Sequence, residues 1–404
     1  MRPLALHGGI GTHGEYWVNV RVSSSSAAPS FKVRLQVDTG SSGLVLLKHN
    51  ASLDAAPSIA CKECASKCDA LGHCPFHLEF GDGSTQYALH VYGRLALLDL
   101  DFGGGGRPAA RVPVHLAYNV SGNLPTRVDG ILGLAFRALD CNPTCVDPAW
   151  GFVGQSFEIQ LGDHGGQLRL FAQAKLPPAA SVASKVLDAP VVGNPKAYYA
   201  VEFPGIAVSN ELVYSRASTL AVIDSGTTLI ILAPAQFDAI RAAMQRDYCH
   251  LPGVCGLENV FQPGRCLVRY HAQYPPLYLF LGKGAVKVPP SLYFFNVQGV
   301  YCLAIQRGPP GLRSAILGDA LLRGFTTSFS PRAVRFAERN ASWWVDNLSA
   351  KDGALVLPTL KHGLASPRPS EHLATNMLSL LIFFLLLYFC VLRCLGVRGS
   401  TGSV

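Results

Sequence analysis

The chain has 404 residues, 49% hydrophobic and 15% charged, so it can bury a large core and supply two domains with an appendage. Its formal charge of +8 is carried by scattered Lys and Arg, which excludes a nucleic-acid-binding surface. Forty Gly and 27 Pro favour a turn-rich, mostly β protein over a helical bundle.

In chain order, the first residues hold no apolar stretch long enough for a secretion signal. Residues 15–22 alternate apolar and polar side chains and predict the first strand. Leu35-Gln-Val-Asp38-Thr39-Gly40-Ser41-Ser42 is an apolar, β-rich run that delivers a carboxylate onto a turn. Gly40 lets that turn bend tightly, and the flanking hydroxyls can hydrogen-bond the acid. Cys61, Cys64, Cys68 and Cys74 follow within fourteen residues, with His73 and His77 nearby. Such a cluster suits either a zinc site or two small disulfides, and the export signals described below favour disulfides. Leu78-Glu-Phe80-Gly81-Asp82-Gly83-Ser84-Thr85 has the turn chemistry of a mobile hairpin tip.

Cys141 and Cys145 are spaced for a local disulfide loop, residues 166–171 read as a closing strand, and the Pro/Ala/Ser run 176–184 reads as a crossover. That divides the body into an N-terminal part, 1–185, and a C-terminal part, 186–348. In the second part, Ala221-Val-Ile-Asp224-Ser225-Gly226-Thr227-Thr228 repeats the first carboxylate turn 186 positions later. Residues 234–247 predict the best helix of the body: Pro at its start, Asp238 early, Arg241 and Arg246 late, and Phe237, Ile240 and Met244 on one face. Cys249 and Cys255 are expected to pair.

From residue 349 the character changes. A stalk rich in Pro, Ser and charge (349–372) leads into 373–392, twenty residues without a charge, enough to cross about 30 Å of bilayer as a helix. A short tail, 393–404, follows. Ten of the twelve cysteines precede residue 303, and Asn-X-Ser sequons stand at Asn50, Asn119, Asn340 and Asn347. Together they predict a single-pass type I membrane protein of the secretory system or cell surface, its body on the lumenal or extracellular side and its tail in the cytosol.

The two carboxylate turns each supply half of a site. Like charges a few ångström apart repel, so Asp38 and Asp224, if they face one another, share one proton. That gives an acid and a base in one place. A water between them can be deprotonated by the ionised member while the protonated member polarises a peptide carbonyl, chemistry that needs no cofactor.

The two turns, at this separation, resemble the active-site turns of the pepsin-like aspartic proteases. The likeness extends to Val128-Asp-Gly-Ile-Leu-Gly-Leu-Ala135 and Ala315-Ile-Leu-Gly-Asp-Ala-Leu-Leu322, segments that in that family pass beneath the turns and brace them. Four blocks in the family's order cover roughly residues 14 to 340. The resemblance implies a bilobal, mostly β fold and an endopeptidase cutting proteins or peptides, with Asp38 and Asp224 catalytic. It implies that Ser41 and Thr227 bond the outer carboxylate oxygens and that Thr39 and Ser225 lock the turns together. Phe80 to Thr85 would be the flap over bound peptide, Cys266 and Cys302 a disulfide, and Asp319 structural. The cysteine-rich insert is similar to that of nepenthesin-type enzymes. Two departures stand out: the family's flap Tyr is Phe80 here, and its hydroxyl's usual Trp partner is Val45. A disulfide-bonded lumenal protein needs a signal and the family usually carries an inhibitory prosegment, so the native chain is expected to begin upstream of Met1, with unconventional export as the alternative. A single copy is expected to be the working unit.

Two other readings fit less of the chain. A catalytically silent pepsin-like scaffold would bind peptide without cutting it, but it should have lost an Asp, Gly or hydroxyl from its turns. A zinc-dependent hydrolase built on the cysteine cluster would be inhibited by chelators and indifferent to pepstatin-like compounds.

Overall fold

The computed structural model describes residues 3–10, 14–48, 51–59, 68–80, 89–103, 109–122, 127–139, 156–176, 185–193, 196–256, 259–339 and 345–346. Strands dominate, and alternation of side chains explains them. In Tyr16–Ser23, Tyr16, Val18, Val20 and Val22 are buried while Trp17, Asn19 and Arg21 are less so. The strand before it, Leu4–Gly8, corrects the expectation that 15–22 comes first: it lies between Tyr16–Ser23 and Gly165–Phe171. Five residues give too short an alternation to stand out in the sequence.

Among the described residues one sheet contains thirteen strands. Its members come from both parts of the chain. Ser156–Gly162 pairs with Phe325–Phe329, which pairs with Ala333–Glu338, which pairs in turn with Val186–Pro190. Where these strands meet, Phe157 stacks on Phe329 with ring centroids 4.8 Å apart, and Tyr199 contacts both rings edge-on.

One local motif occurs twice. Phe31–Asp38 runs parallel to Gly130–Gly133, with Leu35 opposite Gly130 and Asp38 opposite Gly133, and Leu44–Leu46 returns antiparallel along the same brace. In the second part Leu220–Ile223 runs parallel to Ala315–Leu317, and Ile230–Leu232 returns antiparallel along it. All four residues of Gly130–Gly133 are buried, as are Ala315 and Leu317, which is why these braces are apolar-Gly sequences.

The helix Pro234–Asp247 buries Phe237, Ile240, Ala243 and Met244, and Gln236 caps its start by accepting the Ala233 N–H at 3.0 Å. Asp238, read from sequence as an acid favouring the helix start, instead pairs with Arg241 and with Arg307, both at 3.0 Å. Disulfides join Cys249 to Cys255 and Cys266 to Cys302. Cys68 and Cys74 are also disulfide-bonded, which removes two of the four thiolates that a zinc site in that cluster would require. Among the described residues no helix is long and apolar enough to cross a membrane. Residues 373–392 lie outside them, as do Cys61, Cys64, Cys141, Cys145, the hairpin tip Gly81, Asp82, Gly83, Ser84 and Thr85, the run 177–184, and the sequons at Asn50, Asn340 and Asn347.

Candidate active site

Each carboxylate turn is held by hydrogen bonds that its own sequence provides. The Gly40 N–H donates to Asp38 Oδ1 at 2.7 Å and the Ser41 hydroxyl to Asp38 Oδ2 at 2.6 Å. In the other turn Gly226 N–H donates to Asp224 Oδ1 at 2.8 Å and the Thr227 hydroxyl to Asp224 Oδ2 at 2.7 Å. Acid, glycine and hydroxyl therefore occupy equivalent offsets and do equivalent jobs. Each carboxyl is fixed by two donors and has no freedom to swing aside.

The turns interlock through their second residues. Thr39 Oγ1 donates to Ile223 O at 2.8 Å and accepts from Ser225 N–H at 2.9 Å, while Ser225 Oγ donates to Val37 O at 2.9 Å and accepts from Thr39 N–H at 3.2 Å. Thr39 and Ser225 are almost wholly buried, so four bonds cross between the halves in a place that water does not reach. Two further contacts that sequence patterns did not expose tie the second turn down. Gln36 Nε2 donates to Gly226 O at 3.3 Å, and Thr228 Oγ1 donates to Gly14 O at 2.8 Å.

This lock brings the acids together. A Cβ on Gly226 would lie 2.2 Å from Asp38 Oδ1, and one on Gly40 would lie 2.7 Å from both oxygens of Asp224. Each glycine is thus required because the opposing carboxyl occupies the space beside it, a reason that adds to the turn geometry. The two carboxyls lie within hydrogen-bonding reach of one another. Both residues are 9% exposed, which leaves them open from one side. Burial first, then the neighbouring Asp224 carboxylate, push Asp38 up to about 7, against the hydrogen bonds from Ser41 and Gly40 that favour its ionised form. The pair accordingly keeps one proton up to near-neutral pH.

The braces explain the precision. Leu134 N–H donates to Asp38 O at 2.7 Å and Ala135 N–H to Ser41 O at 2.8 Å; in the other half Asp224 N–H donates to Leu317 O at 3.1 Å and Asp319 N–H to Thr227 O at 2.8 Å. Arg34 clamps Asp129 in the first brace with Nε and Nη2 bonds of 3.1 and 2.9 Å. Asp319 is fully buried, and neither of its oxygens has a hydrogen-bond partner among the described residues. Burial, then the charges of Asp224 and Asp38, hold its carboxyl well above the ordinary carboxylate range.

Phe80 ends the strand Pro75–Phe80 opposite Leu89, and it packs with Leu78 and Val120 onto a cluster that contains Val45, Phe76, Leu89 and Val91. The two positions at which the sequence departs from the resemblance therefore share one apolar cluster, and no hydroxyl or indole is left there unpaired. Tyr198, which the sequence does not mark out, stands beside the pair. It is 39% exposed, and burial together with the charges of Asp224 and Asp38 raises its hydroxyl above the ordinary value. The cue was one of two adjacent tyrosines, of which only Tyr199 turns into the core.

Residues 179–338 match the family model described as eukaryotic aspartyl protease. That stretch belongs to the eukaryotic aspartyl protease family. With the family comes its activity class, aspartic-type endopeptidase, and with it a protein or peptide substrate. The match includes Asp224, its turn and its brace, while Asp38 lies before it and is joined to the domain by the four bonds of the lock. No curated protein matches the chain. Among the described residues no three metal-ligating side chains gather.

Proposed function

We propose that Asp38 and Asp224 are the catalytic pair of a bilobal aspartic endopeptidase, with an extended peptide lying in a cleft between the lobes. The observation that carries this is the facing of two carboxyl groups with matching donor sets across the two glycines. A water seated between them loses a proton to the ionised carboxylate as its oxygen attacks the scissile carbonyl carbon, while the protonated carboxyl donates to the carbonyl oxygen. Collapse of the tetrahedral intermediate then breaks the C–N bond. The nitrogen leaves as an amine after taking the pair's proton, and a hydroxyl of the collapsing gem-diol gives its proton back to the pair, which returns to its one-proton state.

Thr39, Gly40, Ser41, Ser225, Gly226 and Thr227 keep the oxygens aimed, and Phe80 to Thr85 cover the substrate. Main-chain hydrogen bonds to flap and walls hold the peptide, with its side chains entering alternate pockets. The body works as a monomer on the lumenal or extracellular face of a membrane of the secretory system or cell surface. The uncharged stretch 373–392 tethers it, and the sequons and disulfides support that side. Tethering favours substrates that are membrane-bound or that pass through the same compartment.

Asp38→Asn and Asp224→Asn test the assignment directly. Each keeps the side chain's shape and deletes half of the acid–base pair, so each should lower peptide turnover by at least about a thousandfold with the fold intact by circular dichroism. Turnover near the parent's in either variant refutes the roles. Absence of cleavage by the parent from acidic to neutral pH, with peptide binding retained, would favour the silent scaffold.

A further inference from the structure

The strands that bracket the hairpin tip carry an outward-facing row that the proteolytic reading leaves unused. In the antiparallel register His77 lies opposite Tyr92 and Tyr92 opposite Asn119; one step along, Glu79 lies opposite His90 and His90 opposite Ser121. Directly opposed residues project to the same face of a sheet. The intervening Leu78, Val91 and Val120 project to the other face, onto the apolar cluster around Val45. His77 and Tyr92 stack with ring centroids 4.2 Å apart and planes 1° from parallel, and His90 lies 5.7 Å from His77 in a second stack. Tyr92 keeps 39% of its surface exposed, and Asn119 and Ser121 are both exposed. A parallel pair of rings held at the surface of a strand ladder, with an Asn directly alongside, is a flat apolar platform next to an attachment point.

From this geometry we infer that Asn119 carries an N-linked glycan whose first sugar lies on the Tyr92–His77 platform. Asn119-Val120-Ser121 is an acceptor sequence, and both of its functional side chains face outward. In the transfer the Asn119 side-chain nitrogen attacks the anomeric carbon of an oligosaccharide carried on a lipid pyrophosphate. The new N–C bond forms as the C–O bond to the pyrophosphate breaks; the lipid pyrophosphate leaves and the amide loses a proton. The axial C–H groups of the first N-acetylglucosamine then cover the face of Tyr92 that His77 leaves open, apolar surface that would otherwise stay wet. The strands so covered, Pro75–Phe80 and Leu89–Asp101, are the two that flank residues 81–88, and the sugar acts there as a clamp on the hairpin.

The inference rests on the reading that the chain enters a secretory lumen, and the test separates the two. The full chain is expressed in eukaryotic cells behind an added cleavable secretion signal, which brings it to the glycosylation machinery whatever its native route. Glycopeptide mass spectrometry should find Asn119 occupied. Trimming the glycan to its first sugar should leave the melting temperature unchanged. Asn119→Gln should lower it by about 2 °C or more in the parent background and leave it unmoved in a Tyr92→Ser background. A bare Asn119, or an equal loss in both backgrounds, overturns the inference. The native route is read separately, from whether the chain without the added signal carries glycan at any of its four sequons.

Discussion

Asp38 is nine-tenths buried and faces a second carboxylate, so its ionisation is costly in the native state and cheap in the unfolded one. Its native value of about 7 stands above the ordinary carboxylate value near 4. Between those two pH values the native chain holds a proton that the unfolded chain has lost, so stability falls as pH rises across the window and recovers on acidification. Asp319, also raised, adds to the same slope. Urea midpoints measured at pH 4.5 and 7.5 should therefore favour the acidic side, and Asp38→Asn should shrink the difference. A midpoint difference unchanged by Asp38→Asn would mean that this carboxyl ionises freely. Turnover should decline over the same upper range, because above about pH 7 the pair no longer holds the proton it donates.

At the scale of an element, the two turns were legible because their chemistry is local: acid, hydroxyl, glycine and hydroxyl at fixed offsets dictate the bonds from Gly40, Ser41, Gly226 and Thr227. Their meeting was legible only through repetition of the pattern. The contacts made by Gln36 and Gly14, and the position of Tyr198, depend on where distant strands end, and no short-range pattern encodes that. The lock between the turns should behave as one unit. Thr39→Val removes a donor to Ile223 O and the acceptor for Ser225 N–H, leaving buried groups unsatisfied at about 1–3 kcal/mol each. Ser225→Ala removes the reciprocal bonds to Val37 O and Thr39 N–H. In a double-mutant cycle followed by chemical unfolding, the pair should cost less than the sum of the singles, with a coupling of about 0.5–3 kcal/mol. Strict additivity would show that the two residues brace their own turns and not each other.

Across the whole molecule, the family match stops short of the first carboxylate turn, yet the same strand, turn and brace occur there in the same order. What joins the halves, besides the lock, is the shared sheet, and its least conspicuous member is Leu4–Gly8. That strand fills the gap between Tyr16–Ser23 and Gly165–Phe171, buries Leu4 and Leu6, and is continued by Ile10, whose N–H donates to the Tyr16 hydroxyl at 3.3 Å. The same hydroxyl donates to Gly162 O at 2.6 Å, carrying the connection to the strand that meets Phe325–Phe329. Removing residues 1–9 should therefore do more than trim an end. It exposes two strand edges and deletes two buried leucines, worth roughly 3–6 kcal/mol together. Gly9, which accepts the Gly14 N–H, is lost too, and Gly14 is the acceptor for Thr228 beside Asp224. Unfolding should shift to lower denaturant, and peptide turnover at temperatures where the truncated chain is still folded should fall as well. A truncated chain with the parent's melt and the parent's rate would mean that this strand is not built into the sheet that carries the second half-site.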